Sequence, residues 1–148
     1  MKKLILTVLG PIVLVGSIVI GVIWWDRGAF PGFRPPLEDV SVLEVSRDHR
    51  GVRIEGTAHY ELRIQQELGD TMHILYPLME KGDTSGRTIH AMVRTTQIPD
   101  RLLSYEDVTV EGLCRPPGRL VSRSIIEALL ARGYDIEEDF VLILAFDD

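Results

Sequence analysis

The residues with the most chemistry to offer in this chain are four histidines, His49, His59, His73 and His90, and one cysteine, Cys114. A haem or copper carrier would draw its ligands from His59, His73, His90, Met92 and Cys114. The spacing does not form a metal motif. There is no HExxH, no helical HxxxH and no paired Cys/His spacing, so no metal is expected. Strand periodicity puts His59 and His73 on wet faces, where they would be cross-strand neighbours and solvated. Cys114 has no histidine nearby in sequence and belongs to no CxxC. It reads as a small buried residue at a strand end, against the alternatives of a reactive thiol or an intermolecular crosslink. A single cysteine also means that no internal disulfide holds the chain.

Nucleophilic and acid–base chemistry find no better footing. The chain has no GxSxG, no glycine-rich phosphate loop and no Ser/His/Asp set of meaningful spacing. Glu137-Glu138-Asp139 is a charge run ahead of an apolar strand and reads as a solubilising edge. Arg115-Pro-Pro-Gly118 leads out of a strand. It is expected to expose Arg115 on a stiff loop, where it offers a docking point for a partner carboxylate. These readings predict no catalytic residue, no cofactor and no enzyme. Without Lys2 and Lys3 the 16 basic side chains fall to 14 against 22 acids, a net of −8 for residues 26–148. That sign repels nucleic acid, which is not an expected partner.

The elements that would position these residues are mostly strands. Residues 51–64 read GVRIEGTAHYELRI and alternate apolar with polar over thirteen positions from Val52, which predicts one long strand with a buried face. Gly56 interrupts its packing face, and Val108-Thr-Val-Glu-Gly112 repeats the phrase. A small barrel must bend its long strands sharply, so Gly56 and Gly112 read as barrel bend points. Further strands are expected at Val40–Val45 and at Met72–Leu78, the latter with Met72, Ile74, Tyr76 and Leu78 on one face. Thr88–Thr95 should place Ile89, Ala91 and Val93 inward. Lys81–Gly86 is a turn. Phe140–Phe146 is apolar throughout and is buried on both faces or closes a barrel. One helix is expected around 122–133, with Ser122 or Ser124 at its start and Gly133 after its end.

The first 25 residues are of another kind. Leu4 to Trp25 runs 22 residues without a charge, about 33 Å as a helix, against a hydrocarbon core of about 30 Å. The run is too long for a cleaved signal, and Trp24 and Trp25 end it where an interfacial belt would lie. It reads as an uncleaved signal-anchor. Gly10, Gly16, Ser17 and Gly21 are its small residues for helix–helix contact. Lys2 and Lys3 put the N-terminus in the cytoplasm, with the rest periplasmic or otherwise extracytoplasmic. Residues 26–37, DRGAFPGFRPPL, form a Pro/Gly linker at the membrane interface.

A long kinked first strand, three more strands, a helix and a closing strand resemble an OB-fold barrel, with the helix falling between the fourth and last strands. Ile98-Pro-Asp-Arg-Leu-Leu-Ser-Tyr-Glu-Asp-Val-Thr-Val-Glu-Gly112 is similar in rhythm to a segment of the haem chaperones of cytochrome c maturation. Their haem-attaching histidine has no counterpart at Leu130–Tyr134, so covalent haem carriage is not expected. Tyr76-Pro-Leu78 with Val108–Gly112 also resembles the Surfeit family of cytochrome oxidase assembly factors, which carry a second membrane helix not found before Asp148. The fold expected is mainly β: an OB-like barrel of five to six strands with one short helix, over 38–148, after a single transmembrane helix. The function expected is a non-catalytic accessory or assembly subunit of a larger integral membrane complex in the lipid bilayer. The alternative is a haem, metal or lipid carrier.

Overall fold

The computed structural model describes residues 34–99 and 103–147. The anchor reading of Gly10, Gly16, Ser17, Gly21, Trp24 and Trp25 lies outside the described residues. Among the described residues no helix is long and apolar enough to cross a membrane.

Two prolines, Pro35 and Pro36, lead into a short strand β1, Leu37–Asp39, which lies parallel to β2, Gly51–His59. The expected strand at Val40–Val45 is absent. That segment turns, with the Glu44 and Val45 amides both donating to the Ser41 carbonyl. The turn suits its apolar spacing, because it brings Val40, Val42 and Val45 to one side, where Val42 is buried and the others pack beside it.

The predicted strand over 52–64 is two strands. After β2 comes one 3₁₀ turn, Tyr60–Leu62, and then β3, Ile64–Leu68. Both pair antiparallel with β4, Thr71–Met79: Ala58 opposes Leu78, and Ile64 opposes Leu75. One side advances six residues while the other retreats three, and the 3₁₀ turn takes up the excess. Pro77 faces this interruption, where an edge position tolerates its missing N–H. The period-two pattern survives the turn, but its apolar face does not stay on one side. Val52, Ile54, Ala58 and Tyr60 join one core, whereas Leu62 and Ile64 join another.

Three further strands complete the sheet: β5, Thr88–Thr95, β6, Tyr105–Arg115, and β7, Asp135–Ala145. Among the described residues the order is β1-β2-β6-β7-β5-β4-β3, and the β2–β4 pairing returns the sheet on itself. The result is a mainly β, seven-stranded mixed sheet with a partial ring of five strands, rather than the five to six strands expected. β5 and β7 run parallel; the other ring pairs are antiparallel. A register shift between Ile89 and Ala91 sends Ile89 to the opposite side from Ala91 and Val93, correcting the uniform inward reading of that strand.

The helix α1, Arg123–Ala131, follows Ser122, and Gly133 behind it has φ +84°, the left-handed conformation that glycine takes without strain. Val121, Ile125 and Leu129 bury its inner face on Leu75, Met92 and Leu142, outside the ring. β7 therefore feeds two cores, with Val141 and Ile143 inside the ring and Phe140 and Leu142 under the helix. This is why its sequence is apolar on both faces.

Both glycines of the repeated phrase sit where another strand passes close. A Cβ on Gly56 would come 2.5 Å from the Met79 carbonyl oxygen, and one on Gly112 would strike the Leu144 carbonyl oxygen. Neither glycine has positive φ. Close approach, rather than an unusual backbone angle, is the physical reason for glycine at both positions.

Candidate functional site

The most elaborate polar arrangement lies at the end of β2, and the sequence had placed its central residue in water. His59 is fully buried, not solvated. Its Nε2 lies 2.8 Å from the Asp83 carbonyl oxygen and its Nδ1 lies 2.8 Å from the Tyr134 hydroxyl. That hydroxyl in turn donates to Glu61 Oε1 at 2.9 Å. Tyr105 packs edge-on against the imidazole at 4.8 Å between centroids, and the Arg87 guanidinium lies 5.0 Å from the centre of the Tyr134 ring.

Four separate pieces of chain build this cluster. β2 and its 3₁₀ turn supply His59 and Glu61, β6 supplies Tyr105, and the residue before β7 supplies Tyr134. The loop between β4 and β5 supplies Asp83 and Arg87. This loop is fastened twice to the outer face of β2. The Gly82 amide donates to Thr57 Oγ1 at 2.7 Å, while Thr57 itself donates to Asp107. Asp83 Oδ1 accepts the Ser85 and Gly86 amides, which hold its carboxyl below the usual carboxylate range. The loop thereby covers Thr57 and His59, two residues that alternation alone assigns to solvent.

Counting protons shows what the cluster does. The Asp83 carbonyl only accepts, so His59 Nε2 carries a hydrogen. The Tyr134 hydroxyl has one hydrogen but faces two acceptor positions, Nδ1 and Glu61. Burial pushes the Glu61 carboxyl up, but hydrogen bonds from Tyr105 and Tyr134 and the charge of Arg87 outweigh it and leave it low. Burial and the Glu61 carboxylate push the Tyr134 hydroxyl up, so it keeps its proton. The Tyr134 hydroxyl thus links the buried ring to Glu61, to which it donates. The result is a hydrogen-bonded chain from an exposed carboxylate to a buried ring.

The other residues of the possible ligand set are dispersed. His73 lies half-exposed opposite Gln66, not beside His59. His90 Nδ1 is 2.7 Å from Glu137. Met92 is fully buried under α1. Cys114 sits in the ring's core with Sγ 3.1 Å from the Ser46 carbonyl oxygen, and burial pushes its thiol up to about 11. Among the described residues no three His, Cys, Asp or Glu side chains gather as a metal site. Arg115 is the last residue of β6, opposite Leu142 and half-buried rather than lifted clear on the loop.

Three clefts accompany these residues. One of about 190 Å³ beside Asp83 and Arg87 is lined also by Val42, Met79 and His90. One of about 100 Å³ lies between Glu61 and α1. The third, about 140 Å³, opens at the ring's seam among Tyr60, Tyr76, Thr95, Val108, Ala145 and Asp147. Each is smaller than the roughly 300 Å³ at which pockets for drug-sized ligands begin. The Tyr60 and Tyr76 rings meet edge-on at 4.8 Å, and Asp147 accepts from Thr95 and from the Thr96 amide and hydroxyl, pinning the chain end to β5. Comparison with known protein families, with curated proteins and with solved structures found no match.

Proposed function

We propose that this chain is a non-catalytic accessory or assembly subunit of a larger integral membrane complex. It is held in the cytoplasmic membrane by an N-terminal single-pass anchor, with an OB-like barrel on the outer side. The observation that carries this reading is the use made of the barrel's polar residues. Thr57, His59, Asp83, Asp107 and Asp147 are each committed to fastening a loop or a strand. An OB-like barrel is supported by the five-stranded ring, by the long broken strand that passes from β6 to β4, and by the crossover that makes β5 and β7 parallel. The anchor is supported by the uncharged run Leu4–Trp25. A linker of about a dozen residues keeps such a barrel within reach of neighbours in the membrane plane.

The test is gentle detergent extraction of the tagged full chain from its own membranes, followed by size-exclusion chromatography and mass spectrometry. A stoichiometric membrane partner, of respiratory or photosynthetic type, is the expected result. Migration alone as a 16.7 kDa chain in its micelle sinks the reading.

A further inference from the structure

β6 is paired along its length on one side only. Toward β2 it pairs from Tyr105 to Leu113, but toward β7 only from Gly112 to Arg115, and β7 stops at Ala145. Two backbone bonds fix which groups face which way. The Cys114 amide donates to the Arg50 carbonyl oxygen, on the β2 side, and the Glu111 carbonyl oxygen accepts from the Phe146 amide, on the β7 side. Antiparallel pairing alternates residue by residue, so the N–H and C=O of Asp107 and Thr109 point the same way as those of Glu111. Among the described residues no strand or turn pairs with them on that side. The cleft of about 140 Å³ opens beside this free edge, with Val108 and Thr109 in its wall.

An open edge is a template for another strand, and the side chains along it decide which strand it accepts. Asp107, Thr109 and Glu111 alternate with Val108 and Val110, which turn toward the ring's core. Asp107 and Thr109 are exposed. Glu111 and Asp147 line the cleft, and no base does. Burial, the Tyr60 hydroxyl and the charges of Asp147 and Glu106 all push the Tyr76 hydroxyl up, which places Glu106 at the same end of the ring. A second copy of this chain laid along the edge would set acids against acids, which is destabilising. The complementary strand carries lysine or arginine opposite Asp107 and Thr109 and a small apolar residue opposite Val108. Ile98, next to the cleft-lining Gln97, and Leu103, two residues before β6, are exposed and widen the surface such a strand would cover.

We propose that the free edge of β6, from Tyr105 to Thr109, is a strand-addition site for an extended segment of a partner protein in which basic residues alternate with small apolar ones. Asp107 and Thr109 supply two N–H donors and two carbonyl acceptors, Val108 contacts the apolar side chain, and Glu106, Asp107, Glu111 and Asp147 select the basic ones. This deepens the docking reading above and rests on it for the natural partner, but the edge is tested with a peptide, so the two fail separately.

The test is amide NMR and hydrogen exchange of the full chain in a neutral detergent. The probe is the peptide acetyl-Thr-Lys-Val-Lys-Thr-amide, with its counterpart carrying glutamate for lysine as control. The lysine peptide should shift the Asp107 and Thr109 amides, slow their exchange about tenfold at saturation and bind about tenfold tighter than the glutamate peptide. N-methylation of both lysines should abolish binding, because their amides donate to the Asp107 and Thr109 carbonyls. Thr109→Pro removes one donor from the open side and none from the β2 ladder, so it should bind the lysine peptide about tenfold more weakly. No binding of the lysine peptide, equal binding of the two peptides, or binding that leaves the Asp107 and Thr109 amides unmoved overturns the proposal. So does protection of those amides before any peptide is added. Protection independent of protein concentration means that the chain's own residues cover the edge, and protection rising with concentration means that a second copy does. Failure of the full chain to co-purify with a membrane partner leaves all of these outcomes untouched.

Discussion

His59 is the residue on which the barrel's closed end turns, and its neighbours give the prediction a sign. His59→Ala leaves the Asp83 carbonyl and the Tyr134 hydroxyl without a partner inside a cavity. A loss of about 2–4 kcal/mol is expected, read as a lower denaturant midpoint with unchanged slope. Tyr134→Phe keeps the ring under Arg87 but strands the imidazole and the carboxylate, and should cost roughly 1–3 kcal/mol. Glu61 adds a pH dependence. Its folded-state carboxyl lies below its ordinary 4.5, so its contribution is present above that value and is lost as pH falls through the lower folded value. Wild type should therefore exceed Glu61→Gln in denaturant midpoint at pH 7, and the gap should narrow steadily as pH falls below 4.5. A gap that stays constant with pH would mean that Glu61 acts through packing alone. None of this cluster was legible in the sequence. Alternation placed His59 outward correctly, but outward here is covered by a loop from residues 81–86, and only the tertiary structure brings that loop across.

At the scale of elements, local patterns were readable where one neighbour decides them and opaque where two do. The helix announced itself through its apolar face and Gly133, and β7 through its unbroken apolar run. The 3₁₀ turn at Tyr60–Leu62 was invisible because its residues continue the period-two pattern that flanks it. The bulge in β5 was hidden for the same reason, since Ile89, Ala91 and Val93 alternate as if they shared a face. Gly56 and Gly112 were recognisable as special, and the structure supplies the cause in the carbonyls of Met79 and Leu144. Gly56→Ala and Gly112→Ala should each cost upwards of about 3 kcal/mol, because the obstructing atoms are backbone and a whole strand must move. Gly69 makes the contrast. It has φ +64° and open space about it, so Gly69→Ala should cost only about 1–2 kcal/mol. Equal losses at all three positions in equilibrium denaturation would show that close strand approach is not what requires Gly56 and Gly112.

For the described domain as a whole, one sparsely paired stretch of the ring is the seam between β6 and β7. β6 pairs with β2 over nine residue pairs but with β7 over only four, Gly112 to Arg115. β7 ends opposite Gly112, where the Phe146 amide still donates to the Glu111 carbonyl oxygen, and the cleft lined by Val108, Val110 and Ala145 lies beyond. Local openings are drawn from regions of sparse pairing, so the seam should part at a fraction of the cost of unfolding. Cys114 is placed to report this. It opposes Ile143 within the seam, its side chain is buried in the ring's core, and its thiol is held in the unreactive protonated form by burial. A thiol reagent should leave the native chain almost unlabelled over minutes and then label Cys114 through rare openings. If the seam opens by itself, the labelling free energy will fall with denaturant at well under half the global slope, since little surface is exposed. A labelling slope equal to the global one would mean that the four-pair seam has no independent motion. The covalent tie of β7 to α1 and the Asp147 clasp on Thr95 and Thr96 would then hold the ring closed until everything unfolds.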